Sequence, residues 1–357
     1  MTEATGASRT QSVALVTGAT GLVGSHIVEL LLSQGWSVRA LTRTPHAARS
    51  SLAREVDLVQ GDVLDAASFA RAAAGCHTIF HAAANITVRG GWEAYRVTNV
   101  EGTRNAIAAA AHANARLLQV SSVAVYGPAA RYDAAKRGER TDERTVLQPL
   151  SERAHYARSK RESEELVMQA HAQGRIWATA VRPAVVYGPR DRQFVPRMAV
   201  LLQRFAVPRL RGGRTTMAVV HAANVAQGAV LAATTDAAVG RAFNLANDFD
   251  VTVRRFFELG AQGLGTHVRW LPMPLWVARG ALRGSRWALR VLSGGRLAGI
   301  ASSAIDFISE DNPFSSERAR RELGWTPTVR PETGVPEAFR WWKEKGRDEV
   351  SRPVRDR

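Results

Sequence analysis

Ser12-Val-Ala-Leu-Val-Thr17 runs directly into Gly18-Ala-Thr20-Gly21-Leu22-Val-Gly24, and this stretch decides the fold. The apolar run predicts a buried parallel strand, and residues 22–34 have helical spacing that ends at Gly35. Glycine lets the backbone bend sharply and approach a diphosphate, while the helix N-terminus presents free N–H groups and a partial positive charge. The stretch therefore predicts a dinucleotide phosphate site, with the candidate residues Gly18, Thr20, Gly21, Leu22 and Gly24.

Strand and helix patterns alternate through the rest of the first half of the chain. Short apolar runs predict further strands at 36–42, 56–60, 78–80, 117–121 and 176–181. Helical spacing predicts helices that include 66–74, 99–113 and 156–173. This alternation predicts the α/β class, with a Rossmann-type doubly wound parallel sheet. After Tyr187-Gly188-Pro189 the elements become shorter and richer in proline, which indicates a smaller C-terminal substrate-binding lobe.

These patterns divide the chain into parts. We expect a disordered lead at 1–11 and a nucleotide-binding Rossmann domain at 12–188, to which residues 218–247 return. Residues 189–217 and 248–345 are expected to form the substrate-binding lobe. Residues 346–357 are mostly charged and are expected to be a frayed tail.

Composition excludes several classes of protein. A hydrophobic content of 45% with 22% charged residues is ordinary for a soluble globular chain. No run of about 18 apolar residues predicts a membrane span, and the polar N-terminal residues lack a signal-peptide core. The single Cys76 excludes an internal disulfide framework, which suits the cytoplasm, and the histidines lack metal-ligand spacing. We therefore expect a cytoplasmic protein with no metal site.

The net charge of +16 invites the alternative of nucleic-acid binding. However, only four of the basic residues are lysines, and the arginines are spread along the whole chain. Aromatic residues do not alternate with basic ones as in single-strand-binding proteins. Nucleic acid is therefore not an expected partner.

A second motif, Tyr156-Ala-Arg-Ser-Lys160, follows the serine pair Ser121-Ser122. Residues four apart on a helix share one face, so the phenol and the ammonium would be neighbours. A free phenol has a pKa of about 10, and a nearby ammonium lowers it towards working pH. Together with the glycine motif, this predicts nicotinamide redox chemistry. Tyr156 would be the acid or base, and Lys160 would lower its pKa and hold the nicotinamide ribose.

The end of the second predicted strand bears on the choice of cofactor. An NAD site usually carries Asp or Glu about 20 residues after the glycines, but this chain reads Val38-Arg39-Ala-Leu-Thr42-Arg43. Arg43 could pair with a 2′-phosphate through charge-assisted hydrogen bonds. We therefore predict NADP(H), with NAD(H) as the open alternative. Asp62, with Val63 beside it, follows the third strand and is placed to hydrogen-bond the adenine amino group.

Taken together, the motifs resemble those of the extended short-chain dehydrogenase/reductase family, which includes the NAD-dependent epimerases and dehydratases. The likeness covers nearly the whole chain. Its further motifs are His81-Ala-Ala-Ala, Asn99-Val-Glu-Gly-Thr103, Ser121-Ser-Val-Ala-Val-Tyr-Gly127 and Arg182-Pro183. The second strand is similar to that of dihydroflavonol reductases, and His221-Ala-Ala-Asn224 is similar to that of 3β-hydroxysteroid dehydrogenases.

The resemblance implies roles for several residues. Ala82 and Ala83 would line the path of the cofactor, and Pro183 would lie against the nicotinamide. Asn99, grouped with the catalytic residues, would stabilise the region between sheet and helix. Ser122 stands where the family keeps its catalytic Ser or Thr, so it is chosen over Ser121 to hydrogen-bond the substrate oxygen.

The lobe predicts a hydrophobic alcohol or ketone of steroid, terpenoid or polyphenol type as the substrate. Its apolar residues suggest a pocket lined by Phe194, Pro196, Met198, Phe205, Trp270, Pro272, Met273, Pro274 and Trp276. A nucleotide-sugar epimerase or dehydratase with tightly held NAD is the first alternative, for which Arg190, Arg192 and Arg214 offer cations. A non-catalytic cofactor-sensing protein is the second, although such proteins typically lose the Tyr or the Lys.

Two further predictions concern surfaces. Arginines at 279, 283, 286 and 290 recur at helical spacing, for which a solvated lid helix is favoured over contact with a membrane surface. Helices 99–113 and 156–173 lie where relatives often pair, so a homodimer is an open alternative to a monomer.

Overall fold

The computed structural model describes residues 12–86, 91–127, 140–278 and 307–346, and seven parallel strands form its centre. In chain order the strands are β1 (Val13–Thr17), β2 (Ser37–Thr42), β3 (Asp57–Gln60), β4 (Thr78–His81), β5 (Arg116–Val120), β6 (Trp177–Pro183), β7 (Val185–Tyr187), β8 (Val207–Arg209), β9 (Val219–His221), β10 (Ala242–Leu245) and β11 (Trp270–Pro272). The central sheet has the order β3-β2-β1-β4-β5-β6-β10. The predicted doubly wound parallel sheet is therefore confirmed, and β10 is a seventh strand that the periodicity did not reveal.

Helices cover both faces of this sheet. The α-helices in the described part of the chain are α1 (Leu22–Ser33), α2 (Pro45–Arg49), α3 (Ala66–Ala73), α4 (Gly91–Tyr95), α5 (Gly102–Ala113), α6 (His155–Ala172), α7 (Phe194–Arg204), α8 (Ala222–Thr234), α9 (Val253–Leu264), α10 (Glu317–Leu323) and α11 (Pro331–Trp341). Val16 packs in one apolar cluster with Ile27 of α1 and Ala229 of α8. Leu15, its neighbour on β1, points the other way and packs with Phe69 of α3 and Val167 of α6. Alternate residues of each strand thus build the two layers of the core.

The order of the strands determines where a ligand can bind. β1 pairs with β2 on one side and with β4 on the other, so the chain changes direction across the sheet at β1. In such sheets, the crevice outside the carboxyl ends of the strands at this switch point is the usual ligand site. Thr17, His81 and Gln119 are register partners at these ends and point to the face covered by α3, α5 and α6.

The second half of the chain adds two small parallel sheets, β7 with β9 and β8 with β11. α7, α9 and α11 pack around them, with the buried Phe256 at the centre of an aromatic cluster. Phe194 and Trp270, predicted to line a substrate pocket, belong to this core because their rings pack on Phe256 and Phe257. Phe205 and Trp276 are instead exposed, at 56% and 77%.

The predicted helix 99–113 does not begin as an α-helix. Residues Arg96–Glu101 form a π-helical turn, and α5 begins only at Gly102. π-turns are rare and frequently occur at functional sites. The turn brings the side chain of Asn99 into hydrogen bonds with other elements, which a helical sequence pattern does not reveal.

Several predictions concern the ends and one segment of the chain. The disordered lead at 1–11, the arginine stripe from 279 to 290 and residues 347–357 lie outside the described residues. The frayed tail from residue 346 stays a prediction, and its first residue, Gly346, is buried at the end of a π-helical turn, Trp342–Gly346. Among the described helices, none has both the length and the apolar character needed to cross a bilayer.

Candidate active site

The glycine turn between β1 and α1 is tightly packed against the end of β4. Gly18 has φ +66°, and a Cβ there would lie 2.8 Å from the Ala83 nitrogen. A Cβ on Gly24 would lie 2.2 Å from the Gly18 oxygen. The first and third glycines are therefore required by the protein's own packing, since each Cβ would collide with backbone. α1 consequently begins close to the strand ends.

The N-terminus of α1 is suited to a diphosphate. Gly21 is the N-cap residue, and no side chain caps the helix. The first turn, from Leu22, contains no acidic residue. Its N–H groups and the positive end of the helix dipole therefore face the crevice without a competing carboxylate, as a diphosphate requires. Thr20, half-buried, lies in the same turn.

Thr17 and His81 connect the ends of β1 and β4. The Thr17 hydroxyl accepts a hydrogen bond from the Ala83 N–H at 3.2 Å and lies 2.9 Å from His81 Nδ1. These bonds hold the Ala82–Ala83 backbone against Gly18, where both alanines were predicted to line the cofactor's path. Thr17 and His81 were not among the predicted site residues, although His81 opens the motif His81-Ala-Ala-Ala and Thr17 ends the first strand.

Arg43, Asp62 and Val63 lie at the β2–β3 end of the crevice. Arg43 is exposed directly after β2, and none of the described carboxylates forms an ion pair with it. Arg39, in contrast, is bound to Asp57 and to backbone carbonyls, so it is unavailable to a ligand. Asp62 Oδ1 accepts the Leu64 N–H at 3.0 Å, and the Val63 side chain packs against Gly102 at the start of α5.

Ser122, Tyr156 and Lys160 converge at the other end of the crevice. Lys160 is buried on α6, and its Nζ donates to the Val120 carbonyl at the end of β5, at 2.8 Å. The half-buried phenol of Tyr156 faces the side chain of Ser122, which favours the ionised form of the phenol. The neighbouring Ser121 hydroxyl is buried and finds no partner among the described residues. The geometry therefore favours Ser122 over Ser121 as the residue that acts with Tyr156.

Burial controls the charges of this group. Burial lowers the pKa of Lys160 to about 8, opposed by the nearby Glu164 carboxylate. Burial raises the pKa of Tyr156, opposed by its hydrogen bond to Ser122. Burial and the charge of Lys160 lower the pKa of His81 to about 3, so this imidazole is neutral. Near pH 7 the Tyr156 phenol is thus protonated and can donate to a substrate oxygen. Its pKa is raised by burial and is not lowered by Lys160 as predicted, because Lys160 Nζ lies on the Val120 carbonyl.

Asn99 and Pro183 complete the set of predicted residues. Asn99 Nδ2 donates to the Asn85 carbonyl at 3.0 Å and to Ser159 Oγ at 2.9 Å, and its Oδ1 accepts the Asn85 N–H. Asn99 therefore joins the segment after β4 to α6, and this is a positioning role. Pro183 is buried at the carboxyl end of β6, in register with Leu245 of β10. Within the described ranges, no three His, Cys, Asp or Glu side chains are grouped to hold a metal ion.

The pKa of Lys160 leads to a prediction about cofactor binding. Lys160 is an ammonium below pH of about 8 and becomes neutral above it. If the ammonium holds the nicotinamide ribose, the Kd for NADPH should increase as the pH is raised through 8. In Lys160→Met, binding should be weaker, and this pH dependence should be absent. Fluorescence titrations measure both effects.

Lys343→Met is the matched control, because Lys343 also donates to a backbone carbonyl, that of Leu264, at the end of α9. It should bind NADPH with the wild-type pH dependence. The same pH dependence in Lys160→Met as in the wild type would contradict the role of Lys160.

The chain is similar to a known family and to several of its enzymes. Residues 14–246 match the NAD dependent epimerase/dehydratase family. A 4-hydroxy-2-methyl-3-oxo-4-farnesyl-3,4-dihydroquinoline-1-oxide ketoreductase of Stigmatella aurantiaca is 31% identical over 90% of this chain and 93% of its own length. A 2-alkyl-3-oxoalkanoate reductase of Stenotrophomonas maltophilia is 27% identical over 90% of this chain and 96% of its own.

A solved structure agrees with these relatives. The crystal structure of gox2253 has a TM-score of 0.75 and 28% sequence identity, and it covers 94% of this chain and 99% of its own. The alignments with these proteins cover 90% or more of both chains, and the family match at residues 14–246 includes the glycine turn and the segment with Tyr156 and Lys160. The chain therefore belongs to the NAD-dependent epimerase/dehydratase family of extended short-chain dehydrogenases/reductases and is a nicotinamide-dependent enzyme.

Proposed function

We propose that the protein is an NADP(H)-dependent reductase of a hydrophobic ketone, with Tyr156 as the proton donor. The observation that carries this proposal is the convergence of Ser122, Tyr156 and Lys160 at the carboxyl end of β5, where Lys160 contacts Val120 and Tyr156 faces Ser122. The bound cofactor supplies the hydride. Ser122 and Tyr156 orient the carbonyl oxygen, Tyr156 transfers its proton to that oxygen, and Lys160 stabilises the phenolate left behind. In the reverse direction Tyr156 would be the base.

The charge state of the site supports the direction of reduction. With the pKa of Tyr156 raised by burial, the phenol carries its proton at neutral pH, as a general acid must. Both curated relatives described above are named as reductases of oxo compounds that bear a farnesyl or alkyl group. These names support a ketone with an extended apolar part as the substrate class.

The environment of Arg43 supports NADP(H). The second strand ends without a carboxylate that would bind ribose hydroxyls and repel a phosphate, and Arg39 is already bound within the protein. Arg43 is thus the exposed cation at the end of β2, and its planar group can bind the 2′-phosphate through two hydrogen bonds.

Arg43→Ala should weaken NADPH binding about 10- to 100-fold, because charge-assisted hydrogen bonds to the 2′-phosphate are lost. NADH binding should change little, since NADH lacks that phosphate. Isothermal titration calorimetry with each cofactor gives the ratio of the Kd for NADPH to the Kd for NADH. Arg54→Ala, which removes an exposed arginine between α2 and β3, should keep the wild-type preference. Equal losses for both cofactors in Arg43→Ala would contradict the assignment.

The experiment that tests the function is a panel of alkyl, isoprenoid and steroid ketones, with NADPH oxidation followed by absorbance. Turnover of one class by the wild type, with stoichiometric formation of the alcohol, would support the proposal. The epimerase branch of the family gives the competing outcome. NAD retained through purification, and conversion of a nucleotide sugar without net cofactor oxidation, would replace ketone reduction by that function.

A further inference from the structure

Two aromatic side chains of α4 pack across the first turn of α6, where Tyr156 lies. The Tyr95 ring is 6.3 Å from the Tyr156 ring, at an interplanar angle of 61°, and 6.3 Å from the His155 ring. The Trp92 ring lies 6.5 Å from that of His155, and the Arg158 guanidinium carbon lies 4.4 Å above the Trp92 ring. Three of the first four side chains of α6 thus contact α4.

The first turn of α6 has no capping side chain. Its N-cap residue is Ala154, and no side chain caps the helix. Alanine is a poor N-cap because it offers no acceptor to the free N–H groups, and an uncapped first turn frays easily. Tyr156 is the second residue of this turn. The position of its phenol therefore depends on side-chain contacts, those with Ser122 and with the Tyr95 ring.

The π-helical turn after α4 is joined to α6 one turn further on. Asn99 Nδ2 donates to Ser159 Oγ at 2.9 Å, and Ser163 Oγ donates to the Asn99 carbonyl at 2.7 Å. Tyr95, which is only 6% exposed, stands directly before the π-turn. The hydrogen bonds of Asn99 therefore fix the backbone from which Tyr95 reaches Tyr156.

We propose that Trp92 and Tyr95 form an aromatic clamp that positions Tyr156, with the Tyr95 ring setting the orientation of the Tyr156 ring. This inference rests on the proposed function of Tyr156 as proton donor. Tyr95 acts through Tyr156 and is therefore a positioning residue. An edge-on contact between buried rings has a preferred geometry, so it restricts rotation of the partner ring.

The test separates the ring of Tyr95 from its hydroxyl. Tyr95→Leu should lower kcat about 10- to 100-fold, because a displacement of about 1 Å at a reacting group has effects of this size. The Kd for NADPH, measured by fluorescence, should stay at its wild-type value. Tyr95→Phe keeps the ring and should restore kcat to near the wild-type value. Trp92→Leu, which leaves Tyr95 in place, should give a smaller loss of kcat.

Trp177→Leu is the matched control, because Trp177 also lies beneath an arginine, Arg116, but at the opposite end of the strands. It should keep kcat. Wild-type kcat in Tyr95→Leu would overturn the proposal. Equal losses in Tyr95→Phe and Tyr95→Leu would overturn it as well, because the hydroxyl would then be the acting group.

A second readout does not depend on activity. The chain has five tyrosines, so NMR of protein labelled at tyrosine Cζ can follow Tyr156 alone, assigned with Tyr156→Phe. The Tyr156 signal should shift or broaden in Tyr95→Leu and should be unchanged in Trp177→Leu. An unchanged signal in Tyr95→Leu would overturn the clamp even if no ketone is turned over. A shifted signal in an enzyme inactive on ketones would keep the clamp and remove the proposed function.

Discussion

Tyr156→Phe is expected to lower kcat for ketone reduction by about 10²- to 10⁴-fold, the range that one positioned general acid contributes. Phenylalanine keeps the ring packed against Tyr95 but removes the proton that the phenol would donate. Ser122 and Lys160 stay in place, so the Kd for NADPH should remain near its wild-type value. Steady-state kinetics and a fluorescence titration of the same preparation measure both quantities.

Tyr126→Phe is the control for this experiment. The Tyr126 phenol is also buried, but it is bound to Asn244 and to Arg182, and burial raises its pKa to about 12. Tyr126→Phe should lower the free energy of unfolding and leave kcat unchanged. Unchanged turnover in Tyr156→Phe would remove Tyr156 from its acid–base role, and a large loss of NADPH binding would show that its hydroxyl holds the cofactor.

Glu164→Ala is expected to lower the free energy of unfolding by about 3–5 kcal/mol, because it leaves the Arg182 guanidinium buried without its countercharge. Arg182 Nε lies 3.1 Å from both carboxylate oxygens, and the two side chains are only 9% and 7% exposed. Urea unfolding at pH 7 gives the difference. Glu258→Ala breaks the exposed helical pair with Arg254 and should lower the free energy of unfolding far less, because solvent screens that pair.

Glu164→Ala should also change the pH dependence of cofactor binding. The Glu164 carboxylate raises the pKa of Lys160, so its removal should lower that pKa further below about 8. The loss of NADPH affinity with rising pH should then begin at a lower pH than in the wild type. If Glu164→Ala had the same free energy of unfolding as Glu258→Ala, the Glu164–Arg182 pair would not be important for stability.

The alternation of apolar runs and helical segments was enough to predict the sheet, because its first six strands are short runs with apolar residues next to turns, and only the edge strand β3 has no buried residue. The seventh strand, Ala242–Leu245, was missed because it lies between the two parts of the lobe, outside the regular alternation of strands and helices. The π-turn at Arg96–Glu101 was missed because it depends on hydrogen bonds of Asn99 to residues distant in sequence. Local periodicity cannot report such bonds.

The candidate site shows the same division. The glycines, Tyr156 and Lys160 have fixed spacings that carry their chemistry, so the sequence suffices to single them out. Tyr95 belongs to the site only because α4 packs on α6, and a tyrosine in a short helix has no distinguishing signal. Phe194 was predicted to line a substrate pocket because apolarity alone cannot separate a pocket from the core into which its ring packs.

The late position of β10 in the chain limits how far the sheet can fold during translation. β10 pairs with β6, yet every element from β7 to α8 is translated between these two strands. A nascent chain that ends at Pro183 therefore presents β6 as an open parallel edge, which is a template for aggregation. Still later, Trp325 Nε1 binds the Asn224 carbonyl, and the Val329 N–H binds Asn224 Oδ1. The nucleotide-binding half is thus completed only when the C-terminal segment leaves the ribosome, so interrupted translation leaves products for chaperones and proteases.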